Sequence, residues 1–349
     1  MAEIWRYILT LQLSKNQFNF SVMSIKKAAI GIDIGGTNTA IGVVNPEGKI
    51  MVKSNINTPG HGDVGKYVAD LSEAVNELIS SVKLLNDELE IAGIGIGAPG
   101  ANYYTGTIEY ASNLSFNGEV PLVKLLRGYF PSLKAIVMTN DANAAVLGEM
   151  IYGGAKGMKN FVMYTLGTGV GSGVVVNGDV VYGSDGFAGE CGHTMLVPGG
   201  RPCGCGTPGH LEAYCSATGM KRTAFELLAH YNDCKSLLAE KSYRELDSKM
   251  IYEAAVKGDK IALEVFEKTG YWLGIGLADT VHYLSPEAIF LFGGPTAAGD
   301  LIFRPTKESM EKHLLPFYKN KVKILPSELK PGDAAILGSS ALVWKELEK

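Results

Sequence analysis

Four soft metal-ligand side chains, His193, Cys203, Cys205 and His210, fall within eighteen residues of one Gly- and Pro-rich stretch. Two carboxylates, Glu190 and Glu212, bracket them. Thiolate sulfur and imidazole nitrogen in this number suit a tetrahedral zinc ion. The spacing His-x9-Cys-x-Cys-x4-His is tighter than that of a usual zinc finger. Gly and Pro fill most of the gaps, so something other than a core must fix the loop, and a bound metal would do so. The segment Gly-Thr-Pro-Gly between Cys205 and His210 reads as a tight turn that returns His210 toward Cys205. Two thiolates and two neutral imidazoles also balance Zn²⁺. Cys215 is a rival fourth ligand, but it falls in the following helix, facing away. The alternative to a metal site is a surface loop with free cysteines and solvated histidines.

Three glycine turns carry a second kind of chemistry. Asp33-Ile-Gly-Gly-Thr-Asn38 joins two apolar runs into a hairpin. Its glycines leave backbone N–H groups open to an anion, and Asp33 can face a metal-bound phosphate. Most such turns only reverse the chain, so both readings stand. Gly167-Thr168-Gly169 repeats the strand–turn–strand unit, and the repetition suggests a duplicated fold with a nucleotide between the halves. Gly293-Gly294 ends a later strand. Asp141 stands where an apolar strand gives way to a helix, as either an N-cap or a catalytic carboxylate.

The elements that must position these residues follow from periodicity. Strands are predicted at Ile91 to Ile96, Ala135 to Met138, Phe161 to Thr165, Gly173 to Val176, Ala288 to Phe292 and Val322 to Leu325. Helices are predicted from Val64 to Val82, Pro121 to Tyr129, Asp141 to about Ile151, Ser248 to Val256, Lys260 to Tyr283, Arg304 to Tyr318 and Asp333 to Glu348, with Asp333 as an N-cap. The strand from Ile91 ends in Gly97-Ala-Pro-Gly100, and ligands gather at the carboxyl ends of strands in open α/β sheets.

The 349 residues suggest two domains, and 46% apolar with 19% charged residues is ordinary for a globular chain. A net charge of -4 without a basic block argues against a nucleic-acid surface. Five cysteines in this length make no disulfide framework and fit a reducing cytosol. No apolar run approaches a membrane span. Residues 1 to 22 differ in pattern from the rest, and Met23 restarts the chain before a strong strand, so they read as a disordered extension or an upstream start.

The motifs already quoted, with Asn113-Leu114, Asn140-Asp-Ala-Asn-Ala145, Gly189-Glu-Cys-Gly-His193 and Cys203-Gly-Cys205, stand in an order that resembles the ROK family, and most its bacterial glucokinases. The resemblance covers about Ser24 to the C-terminus. It implies an α/β hexokinase/actin-like fold of two ribonuclease-H-like domains hinged over a cleft. The expected division is 24–138 with 334–349 as a small domain and 139–333 as a large one holding the zinc loop. It further implies a cytoplasmic sugar kinase using ATP and Mg²⁺ with structural Zn²⁺. The expected partners are sugar and ATP, with a homodimer or higher homo-oligomer and neither nucleic acid nor membrane.

Carried over by residue, Asp33, Gly35, Gly36 and Thr37 would meet ATP phosphates and magnesium. Gly167, Thr168 and Gly169 would form the second phosphate turn, with Gly293 and Gly294 near the adenosine. Asn113, Asn140, Asp141, Glu190, His193 and Glu212 would hold sugar hydroxyls, and Asp141 would be the catalytic base. His193, Cys203 and Cys205 match family zinc ligands, and His210 stands where the family usually has a third cysteine. Phe116 replaces an aromatic that is often Trp, and Cys191 reads as a small packing residue. The first reading is a glucose 6-kinase. Kinases for N-acetylglucosamine, N-acetylmannosamine or fructose share these motifs. A sugar-responsive repressor would carry a helix-turn-helix domain ahead of Asp33, where only 32 residues stand.

Overall fold

The computed structural model describes residues 26–58, 63–109, 111, 114, 116, 118–231 and 235–349. The expectations for residues 1 to 22 and for Asn113 lie outside the described residues.

The chain opens with strands β1 (Lys27–Ile34), β2 (Asn38–Val44) and β3 (Ile50–Asn57), then helix α1 (Val64–Lys83). Strand β4 (Glu90–Gly97), helix α2 (Leu122–Tyr129), strand β5 (Ala135–Thr139) and helix α3 (Asp141–Tyr152) follow. The next strands are β6 (Phe161–Leu166), β7 (Val170–Val176) and β8 (Asp179–Val180). After the Cys/His loop come α4 (Glu212–Cys215), α5 (Ala217–His230), α6 (Ser248–Val256) and α7 (Lys260–Leu284). Strand β9 (Ala288–Phe292), helix α8 (Asp300–His313), strand β10 (Lys323–Pro326) and helix α9 (Ala334–Leu347) complete it.

Two compact units result. One ends at Tyr152 and resumes at Leu329, and the other is Gly153–Glu328. The division falls after Tyr152 rather than after Met138, because α3 packs on the returning α9. Their backbones nearly touch: a Cβ on Gly338 would lie 2.3 Å from Ala144 O.

The first unit holds a sheet of order β3-β2-β1-β4-β5, with antiparallel β1/β2 and β2/β3 and parallel β1/β4 and β4/β5. Alternation along β1 assigns its faces. Ile30, Ile32 and Ile34 join the core with Tyr67, Val68, Leu71 and Val75 of α1. Ala29 instead clusters with Val343 of α9. On that face a Cβ at Gly31 would meet Ile336 O at 2.1 Å, so only glycine lets α9 lie so close. Helix α1 starts where Asp63 accepts the Lys66 N–H at 2.9 Å.

The second unit repeats the plan. Its order β10-β9-β6-β7-β8 pairs β6/β7 and β7/β8 antiparallel, and β6/β9 and β9/β10 parallel. Read from the third strand of each sheet, both orders are 3-2-1-4-5. The duplication suggested by the two glycine hairpins is therefore a duplication of topology.

Strand β8 and helix α5 have no counterpart among the expected elements, β7 begins at Val170 rather than Gly173, and three further differences have a clear physical reason. Strand β3 was not foreseen, because its lysine, serine and asparagines suit an exposed strand rather than an apolar run. Helix α8 begins and ends earlier than Arg304 to Tyr318, since Gly299 at φ 56 starts it and Pro316 disfavours helix at Leu315. Asp333 does not cap α9 with its side chain; its carboxylate pairs with Lys53 Nζ at 3.0 Å.

Candidate functional site: a carboxylate pair, a glycine turn and a Cys/His cluster

In the first unit the parallel register aligns Asp33 with Gly97, and Gly97 with Thr139. Strands β1, β4 and β5 thus finish level, and Asn140 and Asp141 follow directly at the carboxyl edge. The N-cap role falls to Asn140, whose Oδ1 accepts the Asn143 N–H at 2.7 Å. That leaves Asp141 as the first helical residue, with Oδ1 accepting the Ala142 N–H at 2.9 Å. A side chain at Gly97 would press on Ser339 Oγ at 2.9 Å and Ala144 Cβ at 3.1 Å, so glycine is needed for α3 to seat beside β4.

Both carboxyls are raised above the ordinary carboxylate value. Burial, and secondly the charge of Asp141, push Asp33 up to about 6. Burial also raises Asp141, although backbone N–H groups, including that of Ala142, pull the other way. Asp141 is solvent-accessible as a residue, yet protein surrounds its carboxyl closely enough for desolvation to win. Such a pair favours a cation, and Asp33 has the oxygen chemistry that Mg²⁺ takes.

One consequence is testable by stability. Below the ordinary carboxylate value of 3.8, Asp33 is protonated in both folded and unfolded chains. As pH rises from there to about 6 the unfolded chain ionises first, so the folded state loses stability across that window and regains none above it. Asp33→Asn is therefore expected to raise the Tm of cation-free protein by a few degrees near neutral pH, roughly 2–4 °C per kcal/mol relieved. The gain should vanish below about pH 4. Thermal melts across this range check it; an equal gain at both ends would show that ionisation is not the cause.

The turn after β1 is pinned from below. Gly35 N–H donates to Asn38 O at 3.0 Å, Thr58 N–H to Thr37 O at 2.8 Å and the Thr58 hydroxyl to Gly35 O at 2.7 Å. Gly36 and Thr37 remain exposed. Phe116 packs on Tyr67 with ring centroids 5.2 Å apart and the planes tilted by 46°.

In the second unit β6 runs into Gly167-Thr168-Gly169, closed by the Gly167 N–H on Gly169 O at 3.0 Å. Helix α5, capped where Ser216 Oγ accepts the Gly219 N–H at 3.0 Å, starts against this turn. Its positive end therefore lies where an anion would gain from it. Gly293 has φ 113, and a Cβ there would sit 2.1 Å from Leu166 O. The Gly293-Gly294 segment is thereby held against the end of β6. Beside it opens an apolar cavity of about 390 Å³, walled by Tyr252, Phe266, Pro295, Ala297 and Ala298, with Ser248, Lys249 and Glu253 also lining it. Sequence reading missed this slot, since α6, α7 and the segment after β9 build it jointly. Its only local signal was Gly-Gly-Pro at a strand end.

The four expected metal ligands meet. One ligand atom from each of His193, Cys203, Cys205 and His210 lies within 4.8 Å of all the others. Cys203 Sγ is 3.7 Å from His193 Nδ1, and Cys205 Sγ is 3.2 Å from His210 Nδ1. A tetrahedral zinc with bonds of about 2.0–2.3 Å needs edges of roughly 3.3–3.8 Å; the donor types suit the ion and both thiol–imidazole pairs lie close to that range, while spacings of up to 4.8 Å would have to close around it. Burial pushes the Cys203 thiol up to about 12, so a thiolate there calls for a cation. The loop is closed by the Leu196 and Val197 N–H groups on Gly209 O at 2.9 and 3.0 Å. Cys215 stays outside, buried with its thiol toward Thr269 O at 3.7 Å. Cys191 packs against the core of this unit.

The segment between Glu190 and His193 meets Glu212 at the first residue of β7. Gly192 packs on Val170 O, which a Cβ would approach to 2.0 Å, and Glu212 Oε2 accepts the Val170 N–H at 3.0 Å.

Comparison with known proteins gives a consistent picture. The ROK family profile matches residues 29–346. The chain is 34% identical to a glucokinase of Halalkalibacterium halodurans, over 91% of this chain and 95% of that one. It is 32% identical to a glucokinase of Thermotoga maritima, over 92% and 99%. A ROK family glucokinase from Streptomyces griseus, crystallised with glucose and AMPPNP, is 31% identical and superposes with a TM-score of 0.74, covering 91% of this chain and 99% of that one. With two sheets of one strand order and a family match over most of its length, the chain belongs to the ROK family and has its hexokinase/actin-like fold.

Proposed function

We propose that the protein transfers the γ-phosphoryl group of ATP to the 6-hydroxyl of a hexose, with glucose as the preferred acceptor. The observation that carries this reading is Asp141, a carboxylate at a strand end, relieved of capping by Asn140 and raised by burial above the ordinary carboxylate value. A group so tuned suits general-base work on a hydroxyl. The relatives reported above are glucokinases, and one of them was crystallised with glucose.

Phosphoryl transfer asks mainly for positioning and charge stabilisation. Asp33, with the exposed turn of Gly35, Gly36 and Thr37, would hold magnesium and phosphate, and the ion would supply counter-charge. Gly167, Thr168 and Gly169 offer a second phosphate turn at the positive end of α5. The apolar slot beside Gly293 and Gly294 takes the adenine ring. Asn113, Asn140, Glu190, His193 and Glu212 hold sugar hydroxyls, since amides, imidazole and carboxylates match groups that both donate and accept. His193 turns Nδ1 toward the Cys/His cluster, which leaves Nε2 for a hydroxyl. Zinc there is structural. The reading carries with it a cytosolic homodimer or larger oligomer, and no described helix is long and apolar enough to cross a membrane.

An ADP-release assay over a hexose panel tests the acceptor. kcat/KM for glucose is expected to exceed that for N-acetylglucosamine, N-acetylmannosamine and fructose. A higher value for any of these would transfer the assignment to that sugar.

A further inference from the structure

The glycine turn of the second unit is gripped by the residues that follow the last Cys/His ligand. Gly167 O accepts the Ala217 N–H at 2.8 Å, and Thr168 O accepts the Thr218 hydroxyl at 3.0 Å. Glu212 Oε2 takes the Val170 N–H at 3.0 Å. That oxygen also occupies the space beside Gly169, where a Cβ would lie only 2.4 Å away. The same carboxylate faces the cluster with its other oxygen, Oε1, 3.2 Å from Cys203 Sγ. Glu212 follows His210 by two residues, and the Ala213 N–H donates to His210 O at 3.0 Å. A displacement at Cys203 reaches the turn through space, and one at His210 reaches it along α4 and the start of α5.

Backbone N–H groups bind phosphate only while their directions are held, because hydrogen bonds weaken steeply off axis. A turn anchored on a metal-ordered loop is therefore only as well aimed as that loop. We propose that Glu212 is a positioning residue that couples the Cys/His cluster to the Gly167–Gly169 turn, so that nucleotide affinity depends on occupancy of the cluster. The proposal rests on reading that turn as a phosphate site.

Calorimetric titration with AMPPNP tests it on zinc-loaded and chelator-stripped protein. In the wild type, stripping is expected to weaken AMPPNP binding about tenfold. In Glu212→Ala, binding should already be weak with zinc present, and stripping should add less than about twofold. Glu212→Gln keeps an oxygen for the Val170 N–H and should recover most of the affinity and of the metal response. Thr218→Val needs no stripped sample: with zinc content and glucose affinity unchanged, its AMPPNP affinity should fall. Equal losses on stripping in wild type and Glu212→Ala would overturn the coupling, as would unchanged AMPPNP binding in stripped wild type or in zinc-loaded Thr218→Val. Zinc-loaded wild type that binds no AMPPNP would instead remove the kinase reading, and the coupling with it.

Discussion

Asp141→Asn is expected to lower turnover about 10²–10⁴-fold while glucose binding stays measurable by calorimetry. The substitution keeps shape and removes the proton acceptor. The geometry makes it a cleaner test than the sequence alone allowed. Asp141 does not hold the N-terminus of α3; Asn140 does, through its bond to the Asn143 N–H. Asn at position 141 therefore leaves the cap intact, and lost activity is not lost helix. A pH profile separates base from bystander. Burial raises the Asp141 carboxyl, so wild-type kcat should fall on the acid side at a pH above the usual carboxylate range. That limb should disappear from the residual activity of Asp141→Asn. A variant within a few-fold of wild-type turnover, or one with the acid limb unchanged, would take the base role away from Asp141.

His210→Ala is expected to lose nearly all bound zinc, whereas wild type and His210→Cys should each retain about one ion per chain by elemental analysis. His210 Nδ1 lies 3.2 Å from Cys205 Sγ, and the His193 and His210 rings stand 5.3 Å apart at 66°. The position thus completes a donor set of two sulfurs and two nitrogens. Cysteine there supplies a third thiolate, a set zinc also accepts. Removing the imidazole leaves three ligands, and the Gly/Pro turn from Gly206 to Gly209 loses the metal that ties it to Cys205. The loss should also appear as a lower Tm and as faster proteolysis within the loop. Full zinc in His210→Ala with loss in Cys215→Ala would show that the wrong ligand was chosen, against the burial of Cys215 beside Thr269.

Much of the site was legible in the sequence because its signals are local. The His-x9-Cys-x-Cys-x4-His spacing sits in one loop, and its four members do come together. The glycine turns follow apolar runs, and their repetition announced two sheets of one topology. Parallel strands buried on both faces read as continuous apolar runs, which is why β4, β5, β6 and β9 were found close to their true bounds. Strand β3 carried no such run and went unseen.

Other features depended on tertiary structure. Asn140 and Asp141 have equal claims to cap a helix by residue type, and only the backbone path after β5 gives the cap to Asn140. Asp33 and Asp141 lie far apart in sequence. Strand order and register bring them to one edge on either side of Gly97, and that nearness adds to the burial that raises the Asp33 carboxyl. The apolar slot needs two helices and a strand end together. Glu212 read as a sugar ligand by resemblance; the fold also gives it Val170 and Cys203 as partners. Residue types and short spacings determined which chemistry this chain can perform, because ligand sets and turns are built from neighbours. Which groups share a site was decided by strand pairing and helix packing, because those contacts join residues that the chain itself keeps apart.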